Sequence, residues 1–501
     1  MEILPLLAGN LTSVLIGSCV VLVYLFFRLL PKRPKNFPPG PDGFPLVGVA
    51  PYLGKRPDMK LTEYAQKYGD IMGIRIGTQY HLILSGADVL YEACAKQGDV
   101  YSARPWSFLH DVIWGKNGIS MTDFSDDWKE QRKFVLTSLR KFGFGKTSLE
   151  GPIADEARYL GDALRKCEGD YEQGKHNFMD AMANVICKLA LGTRFDYDDD
   201  RSFIQFARNV TNRFQNASFS LIACIMIPWC HHFPPVRKPL RDMDKLFVKM
   251  HATMKEYIVE HKKTFNRDDP QNFLDEYLVE LEKNNGKPNG LFNETMLKYI
   301  LRDLFLGGLE TLFSTLTWSL LILANRPEVQ KKLQNEIDEI MGREGRPTLR
   351  HKEEMHFTLA FMQEVLRYRT LLPFGVARMT IKDTKLMGYD IPKGTTVISN
   401  LYGVHNDPKV WKDPLTFKVE RHLNSDGEFF KDPNVMPFGI GYRYCLGKQL
   451  AEMEFFLFLT SIMQNFNVSS GTGKWQYEDL LEVGFVSTPP PTTDLRLTER
   501  V

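Results

Sequence analysis

The chain lacks features that would assign it to several common classes of protein. Its seven cysteines are widely spaced with no C-x-x-C pair, which argues against a disulfide framework and a thiolate zinc site and is typical of a reducing compartment. Lysine and arginine number 63 against 61 acidic residues, so no basic excess points to nucleic acid. No internal repeat, low-complexity tract or interior flexible linker is present. These absences favour one large domain behind a short N-terminal segment.

The N-terminus carries a long uncharged run. No charged residue lies between Ile3 and Phe27, and at a rise of ~1.5 Å per residue this run could span roughly 37 Å, more than the ~30 Å hydrocarbon core of a bilayer. Only Glu2 precedes it, whereas four basic residues follow: Arg28, Lys32, Arg33 and Lys35. A cleavable signal peptide would have the opposite charge order and a small-residue cleavage site. Residues 1–30 are therefore predicted to be one transmembrane anchor, with the rest facing the cytosol.

The remaining sequence predicts a mainly α fold with small β-sheets. The proline-rich stretch 31–50 cannot continue a helix and is typical of a stiff, extended hinge. Residues 71–85 alternate between apolar and polar and predict a hairpin, and residues 125–325 are mostly helical in pattern. Residues 51–501 are thus predicted to form a single domain.

One long helix is predicted from Asn293 to Asn325, capped by Asn293 and ended before Pro327. In its middle stand Gly307 and Gly308, which together cost roughly 2 kcal/mol relative to alanine in a helix interior. Either close packing against another helix or a groove that admits a ligand beside Glu310 and Thr311 would explain them. A hydroxyl and a carboxylate at such a groove could relay protons.

The segment from Phe438 to Gly447 predicts a tight loop that presents Cys445 and then enters a helix. Gly441 and Gly447 are expected to supply backbone freedom. The positive end of the helix dipole is expected to favour thiolate, the metal-binding form. The alternative is a buried structural cysteine, since free cysteine is among the most buried residue types.

Two weaker pairs and one further cation accompany this loop. Trp128 and Arg132 share one helix face at i and i+4, where an indole N–H and a guanidinium could bind a carboxylate. Glu364 and Arg367 form an i, i+3 pair among apolar neighbours, which predicts a partly buried structural ion pair. The segment 417–421 ends in Arg421, a further cation.

In their order along the chain these motifs resemble those of the cytochromes P-450, the heme-thiolate monooxygenases. The loop 438–447 matches the heme-binding signature F-x-x-G-x-R-x-C-x-G at every fixed position. The segment 400–411 resembles that of the microsomal branch, which contains steroid and xenobiotic hydroxylases. The resemblance implies heme b, with Cys445 as its axial iron ligand and Phe438 packed beside the sulfur. It also implies five propionate-binding residues: Arg104, Trp128, Arg132, Arg378 and Arg443.

The same resemblance assigns Thr311 and Glu310 to proton delivery during oxygen activation. The chain departs from the family pattern at three positions. Leu312 stands where a second hydroxyl is usual, Val419 replaces a proline, and His422 replaces a frequent phenylalanine.

The resemblance further implies electron donors, because no flavin- or nicotinamide-binding signature is present. For a member anchored in the endoplasmic reticulum membrane and facing the cytosol, they are NADPH–hemoprotein reductase and cytochrome b5. A basic docking face would comprise Lys129, Lys133 and Lys448, which are otherwise ordinary solvated lysines.

Three functions are compatible with these motifs: a monooxygenase acting on a lipophilic steroid, fatty acid or xenobiotic; an isomerase or dehydratase that needs no O₂; and a non-catalytic heme sensor. Retention of Thr311 and Glu310 favours the first. The expected substrate pocket is apolar, and it draws on segments 106–114, 219–225, 305–308, 371–376 and 485–487.

Overall fold

The structure is a computed structural model that describes residues 17–18, 31–105, 115, 117–197, 209, 220, 224, 227–284, 290–471, 486–487, 489 and 493–500. The described helices are α1 Ala50–Leu53, α2 Pro57–Tyr68, α3 Ala87–Tyr91, α4 Asp126–Lys141, α5 Glu150–Arg165, α6 Tyr171–Leu191, α7 Pro234–His261, α8 Phe273–Lys283, α9 Glu294–Ala324, α10 Pro327–Met341, α11 His356–Tyr368, α12 Leu401–His405 and α13 Lys448–Asn465. The strands are β1 Ile71–Ile76, β2 Gln79–Leu84, β3 Arg378–Met379, β4 Thr384–Leu386, β5 Tyr389–Ile391, β6 Thr396–Ser399, β7 Phe466–Ser470 and β8 Leu495–Glu499. The predicted mainly α fold with small sheets is confirmed.

The predicted hairpin forms as β1 and β2, which pair antiparallel with Ile71 opposite Leu84. Strand β2 then pairs in parallel with β6, and β6 pairs antiparallel with β3, so the sheet order is β1-β2-β6-β3. A separate bridge joins Ala103 to Met379. This sheet therefore brings Arg104 and Arg378, which are far apart in sequence, to one edge.

The long central helix α9 forms with the predicted ends. The Asn293 side chain accepts a hydrogen bond from the Met296 N–H at 2.8 Å, and Asn325 ends the helix. Within the described residues α9 is the one helix long and apolar enough to cross a membrane, but 78% of its most apolar window is buried inside the domain. It is therefore the core helix, packed against α6 and α13. The predicted anchor, residues 1–30, lies outside the described residues apart from Gly17 and Ser18.

Helix α13 follows the cysteine loop directly and is buried along most of its length, from Leu450 to Gln464. Its apolar side chains join those of α6, α9 and α11 in the main hydrophobic core. A helix anchored on so many sides gives the preceding loop a fixed base.

Candidate active site

The cysteine loop is held by close backbone contacts. Gly439 and Gly441 adopt φ values of 70° and 73°, in the left-handed region that favours glycine. A Cβ on Gly441 would lie 1.7 Å from the Cys94 carbonyl oxygen, so no other residue fits there. The expectation for Gly447 is wrong, because its φ of −82° is ordinary and a Cβ there would meet only Cys445 Sγ at 3.9 Å.

The Cys445 thiol is solvent-accessible, and the Cys445 N–H donates to the Phe438 carbonyl at 2.9 Å. Desolvation by the surrounding protein raises the pKa of this thiol, although the N–H groups of Gly447 and Lys448 and the charge of Arg132 oppose the rise. The two N–H groups at the start of α13 thus lower the pKa in the predicted direction, but desolvation has the larger effect. A metal ion at the sulfur would reverse this balance, because metal coordination deprotonates a thiol outright.

Four of the predicted arginines converge beside this loop, from four different parts of the chain. Each guanidinium donates to a backbone carbonyl, which fixes its direction. These bonds run from Arg104 Nε to Ser120 O (2.9 Å), Arg132 Nη2 to Tyr444 O (2.5 Å), Arg378 Nη2 to Ile440 O (2.6 Å) and Arg443 Nε to Ser102 O (2.8 Å). Two of the accepting carbonyls, those of Ile440 and Tyr444, belong to the cysteine loop itself.

The four guanidiniums repel one another. Burial lowers the pKa of Arg104 well below its ordinary value, and the charges of the other three arginines lower it further. The pKa of Arg443 falls to about 9 through burial and then through Arg378 and Arg132. Asp123 is the carboxylate that raises the pKa of both Arg104 and Arg443. Arg378 Nη1 is buried and has no hydrogen-bond partner among the described residues. Among the described residues, four cations thus face one carboxylate, an excess of positive charge that suits an anionic ligand with about two negative charges.

Trp128 lies between two of these guanidiniums. The Arg443 Cζ atom is 4.1 Å from the indole centroid and that of Arg132 is 5.5 Å away, which are cation–π distances. The indole N–H, which is predicted above to bind a carboxylate, instead donates to the Ile119 carbonyl at 2.9 Å. In this arrangement Trp128 orients the arginines with its ring, and its N–H holds the loop 117–122.

Sequence reasoning missed Asp303, which fixes that same loop from α9. Its Oδ2 atom accepts the Ile119 N–H at 2.7 Å and the Ser120 N–H at 2.9 Å, while Oδ1 pairs with buried Arg302 at 2.8 Å. The Ser120 carbonyl is in turn the acceptor for Arg104. Asp303 therefore connects the central helix to the arginine cluster. An adjacent Arg–Asp pair inside a mostly apolar helix was the signal available in the sequence.

The two central glycines of α9 have different surroundings. A Cβ on Gly308 would lie 2.8 Å from Ile186 Cδ1 on α6, so this glycine serves helix packing. A Cβ on Gly307 would meet nothing within 4 Å among the described residues, and Gly307 is exposed. Of the two explanations offered by the sequence, packing applies to Gly308, whereas Gly307 has no close neighbour among the described residues and remains available for the predicted groove.

Thr311 and Glu310 lie one turn further along α9. The Thr311 hydroxyl donates to the Gly307 carbonyl at 2.7 Å, directly at the open position. Glu310 is buried and accepts from the Ser314 hydroxyl at 3.0 Å. Leu312, the departure from the family pattern, is buried in the main hydrophobic core. A hydroxyl at position 312 would therefore lie in apolar surroundings.

Glu364 is the centre of a fully buried ionic network. Its two carboxylate oxygens accept from Arg367 at 2.8 Å each, and the Lys418 N–H adds a third bond at 2.9 Å. Arg421 Nε lies 3.5 Å away. His422, the residue that departs from the pattern, lies 3.0 Å from Glu364 through Nε2. The predicted Glu364–Arg367 pair is confirmed, and its burial is complete.

The predicted pocket segments are described only in part, since residues 106–114 and most of 219–225 lie outside the described residues. The Ser487 N–H donates to the Leu371 carbonyl at 2.7 Å, and the Trp318 indole N–H donates to the Ser487 carbonyl at 2.9 Å. The C-terminal segment thus packs beside residue 371 and helix α9, two of the elements expected at the pocket.

Comparison with known sequences agrees with this geometry. A sequence model of the cytochrome P450 family matches residues 38–495. The chain is 36% identical to cytochrome P450 2J3 of Rattus norvegicus, covering 90% of each chain. It is 35% identical to cytochrome P450 2J2 of Homo sapiens (91% of this chain, 90% of the relative) and 33% identical to cytochrome P450 2D15 of Canis lupus familiaris (96% and 98%).

The family match and these relatives thus show a heme-thiolate monooxygenase, an oxidoreductase. The chain belongs to the cytochrome P450 family, and its relatives in the 2J, 2U and 2D groups place it in the microsomal branch.

Proposed function

We propose that this protein inserts one atom of O₂ into a lipophilic substrate, using heme b and electrons from NADPH–hemoprotein reductase. Steroids, fatty acids and foreign aromatic compounds are the substrate classes considered. The observation that carries the proposal is the joining of the thiol loop and the arginine cluster into one hydrogen-bonded unit. Arg132 and Arg378 both bind carbonyls of the loop that presents Cys445.

In this proposal Cys445 is the axial ligand of the heme iron and Phe438 shields the sulfur. Arg104, Arg132, Arg378 and Arg443 neutralise the two propionates, and Trp128 orients Arg132 and Arg443. The unpartnered Arg378 Nη1 and the lowered pKa values of Arg104 and Arg443 support this assignment. Heme held by a thiolate supplies the electron-rich iron that favours O–O cleavage.

On the opposite side, Thr311 and Glu310 would deliver protons. The Thr311 hydroxyl donates a hydrogen bond to the Gly307 carbonyl, so the lone pairs of Oγ1 remain available to accept a hydrogen bond at the face of α9 around Gly307. Rotation of that hydroxyl would let Oγ1 donate instead. Glu310 is buried one residue away with Ser314 as its neighbour. The core around Leu312 would exclude water from behind the helix.

Electron transfer would use the face around α4 and the start of α13. Lys133 is exposed and has no ion-pair partner among the described residues. Lys129 pairs with Asp126 at 2.8 Å, and Lys448 is half-buried and 3.9 Å from Glu452. We infer that Lys133 and Lys129 contribute more to docking than Lys448. Attachment to the endoplasmic reticulum membrane by residues 1–30 would keep this face in the cytosol, and cytochrome b5 is a second candidate donor.

Reconstituted turnover tests the proposal. The full chain, loaded with heme and supplied with NADPH and the reductase, should oxidise at least one member of a panel of steroids, fatty acids and aromatic compounds. Binding of that member should first shift the Soret band. Conversion of a hydroperoxide without NADPH, reductase or O₂ would instead support an isomerase or dehydratase. A ferrous–CO complex without the red-shifted Soret band would argue against the monooxygenase and support the heme-sensor function.

A further inference from the structure

The ring of His405 joins two parts of the thiol side of the site that are otherwise separate. His405 ends α12 and is fully buried. Its Nε2 atom is 2.9 Å from the Met436 backbone nitrogen, and its Nδ1 atom is 2.8 Å from Thr370 Oγ1. Nε2 therefore contacts the segment that leads into the cysteine loop, and Nδ1 contacts the segment that follows α11.

The partners determine which ring nitrogen carries the proton. A backbone N–H can only donate, so Nε2 must hold the lone pair that accepts from Met436. The Thr370 hydroxyl already donates to the Arg367 carbonyl at 2.9 Å, so it must accept from His405. Both arguments give the neutral ring with hydrogen on Nδ1. Burial, with the nearby charge of Arg367, lowers the pKa of His405 to about 3 and agrees with a neutral ring.

His405 also contacts the buried ionic network through its own backbone. Arg367 Nη1 donates to the His405 carbonyl at 2.7 Å, and Arg367 is held by Glu364. On the other side, the Met436 carbonyl accepts from Gly439 at 3.1 Å, and the Phe438 carbonyl accepts from Cys445 at 2.9 Å. An unbroken series of hydrogen bonds and short chain segments thus leads from Glu364 to Cys445.

We propose that His405 is a positioning residue that uses its Nε2 lone pair to hold the Met436 amide, and thereby sets the cysteine loop against the Glu364–Arg367 network. The consequence for the heme depends on the proposed role of Cys445, whereas the bond to Met436 does not. Pro437, which follows Met436, has no N–H. The Met436 amide is therefore the last backbone N–H before Phe438, and its bond to His405 fixes this segment.

Two substitutions separate this role from simple packing. His405→Gln places an acceptor near the position of Nε2, whereas His405→Asn reaches Thr370 but is too short to reach Met436. Thr370→Val is the matched control, because it removes the bond at Nδ1 and leaves the acceptor at Nε2. Hydrogen exchange at the Met436 amide and the share of red-shifted ferrous–CO complex are measured in the full-length, heme-loaded protein.

We expect His405→Asn to speed exchange at Met436 at least tenfold and to lower the red-shifted share, while His405→Gln and Thr370→Val stay near wild type. Equally fast exchange at Met436 in all three variants, or unchanged exchange in His405→Asn, would overturn the proposal. Wild type alone gives a second test, which holds even if His405→Asn does not fold. Its Met436 amide should exchange at least tenfold more slowly than the amide of Asn434, which bonds to the Asp432 side chain, two residues away, in a partly buried turn. Equal rates would overturn the proposal, as would a lower red-shifted share in His405→Asn without faster exchange at Met436. Faster exchange with an unchanged red-shifted share would count against the role of Cys445 instead.

Discussion

The two sides of the site are built differently. On the thiol side, polar groups bond across long distances in sequence: Arg443 reaches Ser102, and Arg378 reaches Ile440. Around Gly307 on α9, the region proposed to lie on the opposite side, the hydrogen bonds are local. Thr311 bonds to Gly307, four residues earlier, and Ser314 bonds to Glu310 at the same spacing.

Under the proposed function, this difference separates the region that would hold the cofactor from the region that would act on the substrate. Groups fixed by several chain segments are costly to disturb, because each substitution leaves buried partners unsatisfied. A groove whose polar groups bond within their own helix can be altered with little effect on folding. Substitutions on the thiol side should therefore lower stability and heme affinity, and those around Gly307 should mainly change the chemistry.

The largest effect on folding is expected for Glu364→Gln. Removal of the carboxylate charge leaves Arg367 buried and uncompensated, which costs about 3–5 kcal/mol. Chemical denaturation measures the free energy of unfolding. Glu63→Gln, in the exposed pair with Lys60, is the control and should change little.

The same variant should change the pH dependence of stability. Desolvation acts to raise the pKa of Glu364, but Arg367, His422 and the Lys418 N–H outweigh it and lower the pKa. The contribution of the carboxylate is thus fully present above its unfolded pKa near 4.5, and it is lost as pH falls through the lower folded value. Wild type should lose stability in that window and Glu364→Gln should not. Parallel pH profiles would contradict the network.

Arg378→Met should weaken heme binding more than folding. The lost charge-assisted hydrogen bonds are worth about 1.5–3 kcal/mol, which corresponds to about tenfold or more in heme affinity. In the heme-free protein, removal of one cation also relieves repulsion within the cluster, which should partly offset the loss of folding stability. Heme titration and denaturation of the heme-free form measure the two effects. Arg140→Met, at an exposed position of α4, should change neither.

Gly307→Ala and Gly308→Ala should shift stability in opposite directions. Gly307→Ala gains up to about 1 kcal/mol of helix propensity in open space. Gly308→Ala crowds Ile186 and should lose about 1–3 kcal/mol from overpacking. Adding Ile186→Val, which removes the crowding methyl group, should recover part of that loss. Equal shifts for the two alanines would refute the division into groove and packing positions.

Thr311→Val should have the smallest effect on folding, within about 0.5 kcal/mol, and heme content should stay unchanged. Product formed per NADPH should fall, because Oγ1 can no longer pass a proton at the open face. Thr311→Ser keeps the hydroxyl and should retain most of the product yield. Loss of heme from Thr311→Val would show that the two sides are not separable.

Local patterns were sufficient to predict much of this molecule. Asn293 as the helix cap, the β1–β2 hairpin and the Glu364–Arg367 pair follow from spacing and side-chain chemistry within a few residues. The positions of Arg104 and Arg378 came from resemblance, since only the sheet order brings them together.

The remaining features depend on contacts that a linear sequence does not specify. The raised pKa of the Cys445 thiol results from desolvation by the folded protein, and the need for glycine at 441 results from the Cys94 carbonyl. Asp303 and His405 act through backbone groups of distant segments. No residue type at those distant positions reveals the contact, because any backbone offers the same N–H.

The ferrous–CO spectrum of the heme-loaded protein and of Cys445→Ser tests the central claim most directly. Wild type should give the red-shifted Soret band of a thiolate-ligated heme, and Cys445→Ser should lose it, while the half-buried Cys167→Ser keeps it. An unshifted band in wild type, or a shifted band that survives in Cys445→Ser, would contradict the assignment of Cys445 as the iron ligand.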